Sequence, residues 1–262
     1  MIAARQIAFG RGAAKGYTAK DYVQDGLVAM WDGIENAGWG EHDNTATVWK
    51  DLSGNGHDAV KVGSPVWESN AGVTDGAKNT FLSTIPNSPA FIEAIKSNAG
   101  FTVEVCFAPT VAWGSKSPFS IEDSDGTSSK YRLMQLFSNS SQYYNSGVLD
   151  VDGTEFFGKT PTVDNNIGTY SMVVAQDASS VRIDQYWNGV KGTEGGFTIP
   201  RYKKFSISEI DALGVEKWYV RIGKTHNNSM SSNFYSVRIH SRAFSAEEIA
   251  YNCSIDKARF GL

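Results

Sequence analysis

The stretch FTVEVCF, residues 101–107, puts Phe101, Val103, Val105 and Phe107 on one side of an extended chain and Thr102, Glu104 and Cys106 on the other. That two-residue period belongs to a strand with one face in a core. It is one of a series. GLVAMWD, TATVWKDL and HDAVKV come before it, and RLMQLF, GVLDVD, TYSMVVA, KWYVRIG and NFYSVRIHSRAF after it, with turns of Gly, Asn and Ser between. In VRIDQYWNGVKG, Asn188-Gly189 separates two strand-like runs; both residues tolerate positive φ, which marks a tight hairpin. Many short strands with little helix can bury their apolar faces only against one another. The expected fold is all-β, a two-sheet antiparallel jelly-roll sandwich. A short C-terminal helix is expected at SAEEIAYN, where Ser245 and Glu248 form a capping box. A second short helix is expected at SPAFIEAIKS, residues 88–97.

The 262 residues fit one all-β unit. Residues 1–20, rich in Gly, Ala, Lys and Arg, have no strand or helix period and read as an extended N-terminal arm preceding a domain over 21–262. Ile7-Ala8-Phe9 is too short for the apolar core of a signal peptide. No apolar run approaches the 18 or so residues of a membrane span, so membrane insertion is not expected. A net charge of −4 leaves no basic face for phosphates, so nucleic acid is not an expected partner. Cys106 and Cys253 read as two unpaired buried thiols.

Three segments carry a resemblance. DGLVAMWDG with TVWKDLSGNGHDAV is similar to the opening strand pair of the laminin G-like branch of the concanavalin A-like lectin/glucanase superfamily. VRIDQYWNGVKG resembles its hairpin, and YVRIGKTHNNSMSSNFYSVRIHSRAFSAEEIAYN resembles its closing strand, corner and capped helix. The resemblance frames nearly the whole chain. It implies two antiparallel sheets and a concave face or rim loops that in many members bind glycans, often beside calcium.

The chemistry expected from the residues is binding rather than catalysis. Related glucanases carry E-x-D-x-(x)-E on one strand. The nearest text, Glu209-Ile210-Asp211-Ala212-Leu213-Gly214, lacks the third carboxylate, and Glu216 lies too far along. SIEDSDG, with Glu122, Asp123 and Asp125, reads as a solvated acidic loop. No phosphate loop, zinc spacing or nucleophile elbow is present. The chain is therefore expected to be a non-enzyme, with a glycoside hydrolase as the less favoured alternative.

WKDLSGNGHDAV, residues 49–60, leaves three readings open. Gly54 and Gly56 suit a sharp corner, Asp51, Ser53, Asn55 and Asp58 offer oxygen ligands for calcium, and the loop could touch a ligand directly. A sugar site needs an exposed aromatic plane beside amides and carboxylates. Three loops could supply one: Trp39 with Glu41, His42, Asp43 and Asn44; Trp113 with the loop to Asp125; and Tyr143 with Tyr144 and Asn145. Trp31, Trp187 and Trp218 lie in strand runs and are expected in the core.

The text is similar to laminin G-like proteins encoded by phages and prophages of gut bacteria. The resulting expectation is an adhesion module on a bacteriophage virion, as a head fibre, decoration or tail protein released by lysis. The arm would join it to a capsid or tail protein, with glycan and further copies of itself as other partners. The alternative is an extracellular or cell-surface carbohydrate-binding module.

Overall fold

β-Branched and aromatic residues at alternate positions fix the strands of this chain, and the short Gly and Asn turns set their order. The computed structural model describes residues 16–75, 80–86, 100–110, 116–123, 132–138, 144–149, 155–159, 167–176, 181–192, 217–224 and 230–262. Within these, the strands are β1 (Leu27–Asp32), β2 (Val48–Trp49), β3 (Ala59–Val62), β4 (Val66–Glu68), β5 (Ala71–Asp75), β6 (Thr80–Pro86), β7 (Gly100–Pro109) and β8 (Lys116–Glu122). They continue with β9 (Arg132–Ser138), β10 (Tyr144–Leu149), β11 (Glu155–Lys159), β12 (Gly168–Gln176), β13 (Val181–Trp187), β14 (Val190–Lys191), β15 (Lys217–Ile222) and β16 (Ser231–His240). One helix, α1 (Ala246–Phe260), closes the chain.

The strands form two antiparallel sheets, the jelly-roll sandwich expected from the alternation. The first runs β14-β13-β12-β7-β16-β5-β4, and the second β11-β10-β9-β8-β15-β6-β3-β2. Long β16 shares its outer edge between two partners: Ser231–Phe234 pair with β5 and Ser236–His240 with β1. Phe101, Val103, Val105 and Phe107 of β7 point into the core with Tyr170, Met172, Val237 and Ile239 of the same sheet; Phe81, Phe119, Ile121, Trp218, Val220 and Ile222 come from the other. At the hairpin Asn188 and Gly189 take φ of 52° and 80°, the left-handed pair such a turn requires.

The opposite face of the first sheet is covered by α1. Ser245 caps it through the Glu248 N–H, the Glu248 side chain answers at the Ser245 N–H, and Gly261 ends it at φ 76°. The helix runs eight residues past the SAEEIAYN segment because Cys253, Ile255, Asp256 and Phe260 continue its buried side. Both cysteines are free and buried, Cys106 on β7 and Cys253 within α1.

Beneath α1 lies a charged cluster with no exposure at Arg238, Glu104 or Asp256. Arg238 reaches Glu104 Oε2 at 3.0 Å and forks onto Asp256 at 2.9 and 2.7 Å. Tyr22 Oη and Thr169 Oγ1 each donate to Asp256 at 2.7 Å, Asn252 Nδ2 donates to Glu104 at 2.6 Å, and the Arg238 guanidinium sits 4.0 Å from the Tyr22 ring centroid. Burial pushes the Glu104 carboxyl above its ordinary range, against the pull of Arg238. One arginine thus ties β7, β16, α1 and the N-terminal segment together.

Candidate functional site

Most tryptophans of the chain are structural. Trp31, Trp49, Trp67, Trp187 and Trp218 are buried, with Trp31, Trp187 and Trp218 in the core as expected. Three of their indoles strap loops at one end of the sandwich: Trp31 Nε1 donates to His57 O, Trp49 Nε1 to Asp32 O and Trp67 Nε1 to Ala46 O, at 2.8–2.9 Å. Trp39, on the loop between β1 and β2, is the exception. It is 39% exposed, and Glu41, His42, Asp43 and Asn44 beside it are exposed as well.

This loop is fixed from below by two buried side chains. Asn36, wholly buried, mimics a backbone pair: its Nδ2 donates to Asp43 O at 2.9 Å and its Oδ1 accepts from Asp43 N at 2.8 Å. Glu35 holds the tip, where Oε2 accepts from Gly40 N at 2.9 Å. Its Oε1 accepts from Ala19 N at 2.9 Å and from Arg259 Nη1 at 3.1 Å. Burial pulls the Glu35 carboxyl upward, but the two N–H groups and Arg259 outweigh it and hold it below the usual glutamate range. Arg259 also binds Asp32 Oδ1 at 2.7 Å. Burial pushes Asp32 up to about 6 even so, against Arg259 and the Glu35 and Ile34 N–H groups.

The tip itself is a tight turn, with Glu41 N donating to Gly38 O at 3.0 Å and φ positive at Gly38 and Gly40. Only glycine takes such angles without strain, and the turn they make leaves the Trp39 ring partly open to solvent. His42 Nδ1 lies 3.0 Å from Gly33 O and its Nε2 3.0 Å from Asn44 Oδ1, so His42 and Asn44 brace each other. The arrangement is a pre-ordered loop that presents an aromatic ring beside carboxylate, imidazole and amide groups.

The structure therefore brings Trp39, Glu41, His42 and Asn44 together on one loop. Trp113, Asp125 and Tyr143 lie outside the described residues, as do the 88–97 helix and the Glu209–Glu216 segment; Tyr144 opens β10. Glu35, Arg259 and Lys20 were missed by the sequence reading, for Glu35 and Arg259 are 224 positions apart. Lys20 Nζ lies 5.1 Å from the Trp39 ring centroid.

The corner at 49–60 turns inward. Asp51 Oδ1 accepts from Met30 N at 3.0 Å and Ser53 N at 2.9 Å, and Oδ2 accepts from His57 N at 2.9 Å with Ser53 Oγ at 2.7 Å. Asp58 takes Asp51 N at 2.9 Å and Lys50 Nζ at 2.6 Å, while Asn55 Nδ2 donates to Val28 O at 2.9 Å. Donors surround these carboxylates and the loop straps itself to β1, the work of a turn. Among the described residues no group of three or more His, Cys, Asp or Glu is placed to hold a metal ion.

Glu122 corrects another expectation. It is no solvated loop residue but lies in β8, buried, with Oε2 3.5 Å from Arg221 Nε on β15. Its cross-strand partner is Tyr219, while Val220 and Ile222 of β15 face the core. Alternation thus puts Arg221 on the other side of the sheet.

No protein-family model matches the chain, and no curated protein does. Solved structures do. A Trypanosoma rangeli sialidase in complex with sialic acid superposes with a TM-score of 0.58 at 14% identity, covering 89% of this chain and 33% of the sialidase. The receptor binding domain of botulinum neurotoxin C/D mosaic serotype gives 0.59 at 11% identity, covering 88% of this chain and 52% of that one. The chain thus spans about a third to a half of these neighbours, and at such identities the likeness is one of fold. It nonetheless corrects the expectation of a non-enzyme, because about a third of a sialidase, which is an enzyme, has this fold. The expectation rested on linear motifs: the carboxylate spacing along one strand and the lack of a phosphate loop, zinc spacing or nucleophile elbow. A sheet also assembles side chains across strands, as Glu122 and Arg221 show, and no linear spacing detects that.

Proposed function

We propose that the protein is a carbohydrate-binding module and that Trp39 supplies the surface on which a sugar ring stacks. One observation carries this reading: Trp39 stands exposed on a loop clamped by Glu35 and Asn36, while five other indoles are buried. An indole covers the apolar face of a pyranose, and Glu41, Asn44 and the loop backbone are at hand for its hydroxyls. The fold is shared with a sialidase solved with sialic acid and with a toxin receptor binding domain, which supports a glycan as the ligand class.

The test is an immobilised glycan array probed with the full chain and with Trp39→Ala. The reading expects binding by the first and its loss in the second. Unchanged binding by Trp39→Ala moves the site to another loop, and absence of any glycan bound by the full chain ends the reading. Repeating the array with a chelator separates direct stacking from binding that needs calcium; for calcium to bind at Asp51, Ser53, Asn55 and Asp58, the loop's own donors would first have to leave the two carboxylates. Sugar released from the array reports hydrolysis in the same experiment.

The setting belongs to this reading too. The reading sets the module on a virion, as a head fibre, decoration or tail protein, with residues 1–20 as the anchor to a capsid or tail protein; an extracellular or cell-surface module is the alternative. Support comes from the root of that segment: Ala19 is buried, Val23 N donates to Asn252 Oδ1 at 2.9 Å, and Tyr22 joins the Asp256 cluster. An arm that carries load needs such a root. Co-sedimentation with a capsid or tail protein at fixed stoichiometry is expected across a density gradient of particles; recovery in the soluble fractions alone contradicts it. Self-association is checked by the mass of the purified chain in solution.

A further inference from the structure

The residues that border Trp39 do not all come from its own loop. A single 3-10 turn at Ala19–Asp21 is capped by Thr18 and Asp21 and lies against the same tip. Glu35 spans the gap, with one oxygen on Ala19 N and the other on Gly40 N, both at 2.9 Å. Arg259 locks that carboxylate and reaches Tyr17 O at 3.4 Å. The distance between the N-terminal turn and the Trp39 tip is therefore set by one buried acid.

The turn delivers Lys20 to the site. Its ammonium lies 5.1 Å from the Trp39 centroid, and among the described residues no carboxylate is within ion-pair distance of it. Of the acids nearest in sequence to Trp39, Asp43 is turned to local work. Asp43 Oδ1 accepts from Thr45 N at 2.7 Å and Thr45 Oγ1 at 2.6 Å. Glu41 folds back over Gly38 within the turn, so Lys20 is the charge that lies against the ring itself. A cation set over an aromatic ring, and paired with no carboxylate among the described residues, is complementary to a sugar that carries an anion.

From this juxtaposition we infer that residues 17–21 are part of the Trp39 site and that Lys20 selects a carboxylate-bearing sugar over a neutral one. The inference rests on the carbohydrate reading and narrows it to acidic glycans. Trp39 supplies stacking for either class; Lys20 supplies the difference between them. Glu35 acts as a positioning residue, holding the cation and the ring at a fixed separation.

Isothermal titration of the full chain with 3′-sialyllactose and with lactose tests it, in the parent protein and in Lys20→Ala, Lys20→Arg and Trp39→Ala. Lys20 is exposed, so its variants fold. The parent is expected to prefer the acidic sugar. In Lys20→Ala its affinity should fall about tenfold while that for lactose holds, with substantial recovery in Lys20→Arg. The preference should also shrink as sodium chloride is raised. Equal affinity of the parent for the two sugars, or an unchanged preference in Lys20→Ala, overturns the inference and leaves the carbohydrate reading standing. If the parent binds neither these sugars nor any glycan on the array, the carbohydrate reading falls first and takes the inference with it.

Discussion

Two arginine-centred clusters sit at neighbouring places in this molecule and do different things. Arg238 lies under α1 with Glu104 and Asp256, all without exposure, and every group it touches is itself packed. Arg259, near the end of the same helix, binds Asp32 and Glu35, and Glu35 passes the restraint outward to Gly40 and to an exposed indole. The first cluster ends in the core; the second ends at the surface. Burying charge is costly and is repaid only when each partner is satisfied. What distinguishes a site from a joint here is therefore not the presence of a buried ion pair but where its last hydrogen bond leads.

Removing one member of each cluster should sharpen the contrast. The largest effect is expected for Arg238→Ala, which leaves Glu104 and Asp256 unpaired under the helix: a loss of about 3–5 kcal/mol in urea unfolding. His240, on the same side of the fold, offers a pH test. Burial lowers its ring from 6.5 to about 3 in the folded protein, where Nε2 meets Val23 O at 3.0 Å. Between those values the unfolded chain takes up a proton that the folded one refuses, so stability falls as pH drops from 6.5 towards 3, by up to ~1.4 kcal/mol per pH unit. Asp32, raised to about 6, works in the opposite sense: its share is lost as pH rises through its window. The His240 term is thus read as the difference between the parent and His240→Asn, whose profile should be flatter. An identical slope in the two would show that the ring titrates normally.

Glu35→Gln should cost less, about 1–3 kcal/mol, since the amide keeps the shape but presents Nε2 to an N–H group. Its signature is local. Amide exchange at Ala19 and Gly40 should speed up together, with the amides of β7 and β16 unaffected. Because the folded Glu35 carboxyl lies below its ordinary range, its contribution is present above the unfolded pKa of about 4.3 and is lost as pH falls through the folded value. Acid should therefore release both amides in the parent and have less further effect in Glu35→Gln. Release of only one would separate the N-terminal turn from the loop. The smallest effect is expected for Trp39→Ala, about 1 kcal/mol or less, since its ring is partly exposed and outside the core. A loss of several kcal/mol would make Trp39 a structural residue like Trp49.

The sandwich was legible because alternation is local: residues 101–107 announce a strand and Asn188-Gly189 a hairpin without reference to anything distant. The cap of α1 was legible for the same reason, at Ser245 and Glu248. Its length was not, because residues past Asn252 stay helical through contacts with a sheet that only the folded chain supplies. Gly38 and Gly40 flank Trp39 in the sequence and mark a turn, yet the choice between an exposed and a packed ring depends on Glu35 and Asn36 below it. Glu35 in turn depends on Arg259. Glu122 was misplaced because SIEDSDG looks acidic and loop-like, while its partner Arg221 arrives by cross-strand register from β15. Sites made across strands or between chain ends leave little trace in linear spacing.

The central claim is that Trp39, and not the buried indoles, meets the ligand. It is tested most directly by following indole N–H resonances in a two-dimensional NMR spectrum while 3′-sialyllactose is added, with the Trp39 signal assigned by its absence in Trp39→Phe. The account predicts that the Trp39 resonance moves with saturation while those of Trp31, Trp49, Trp67, Trp187 and Trp218 stay in place. A sugar that binds and leaves the Trp39 resonance still would contradict it.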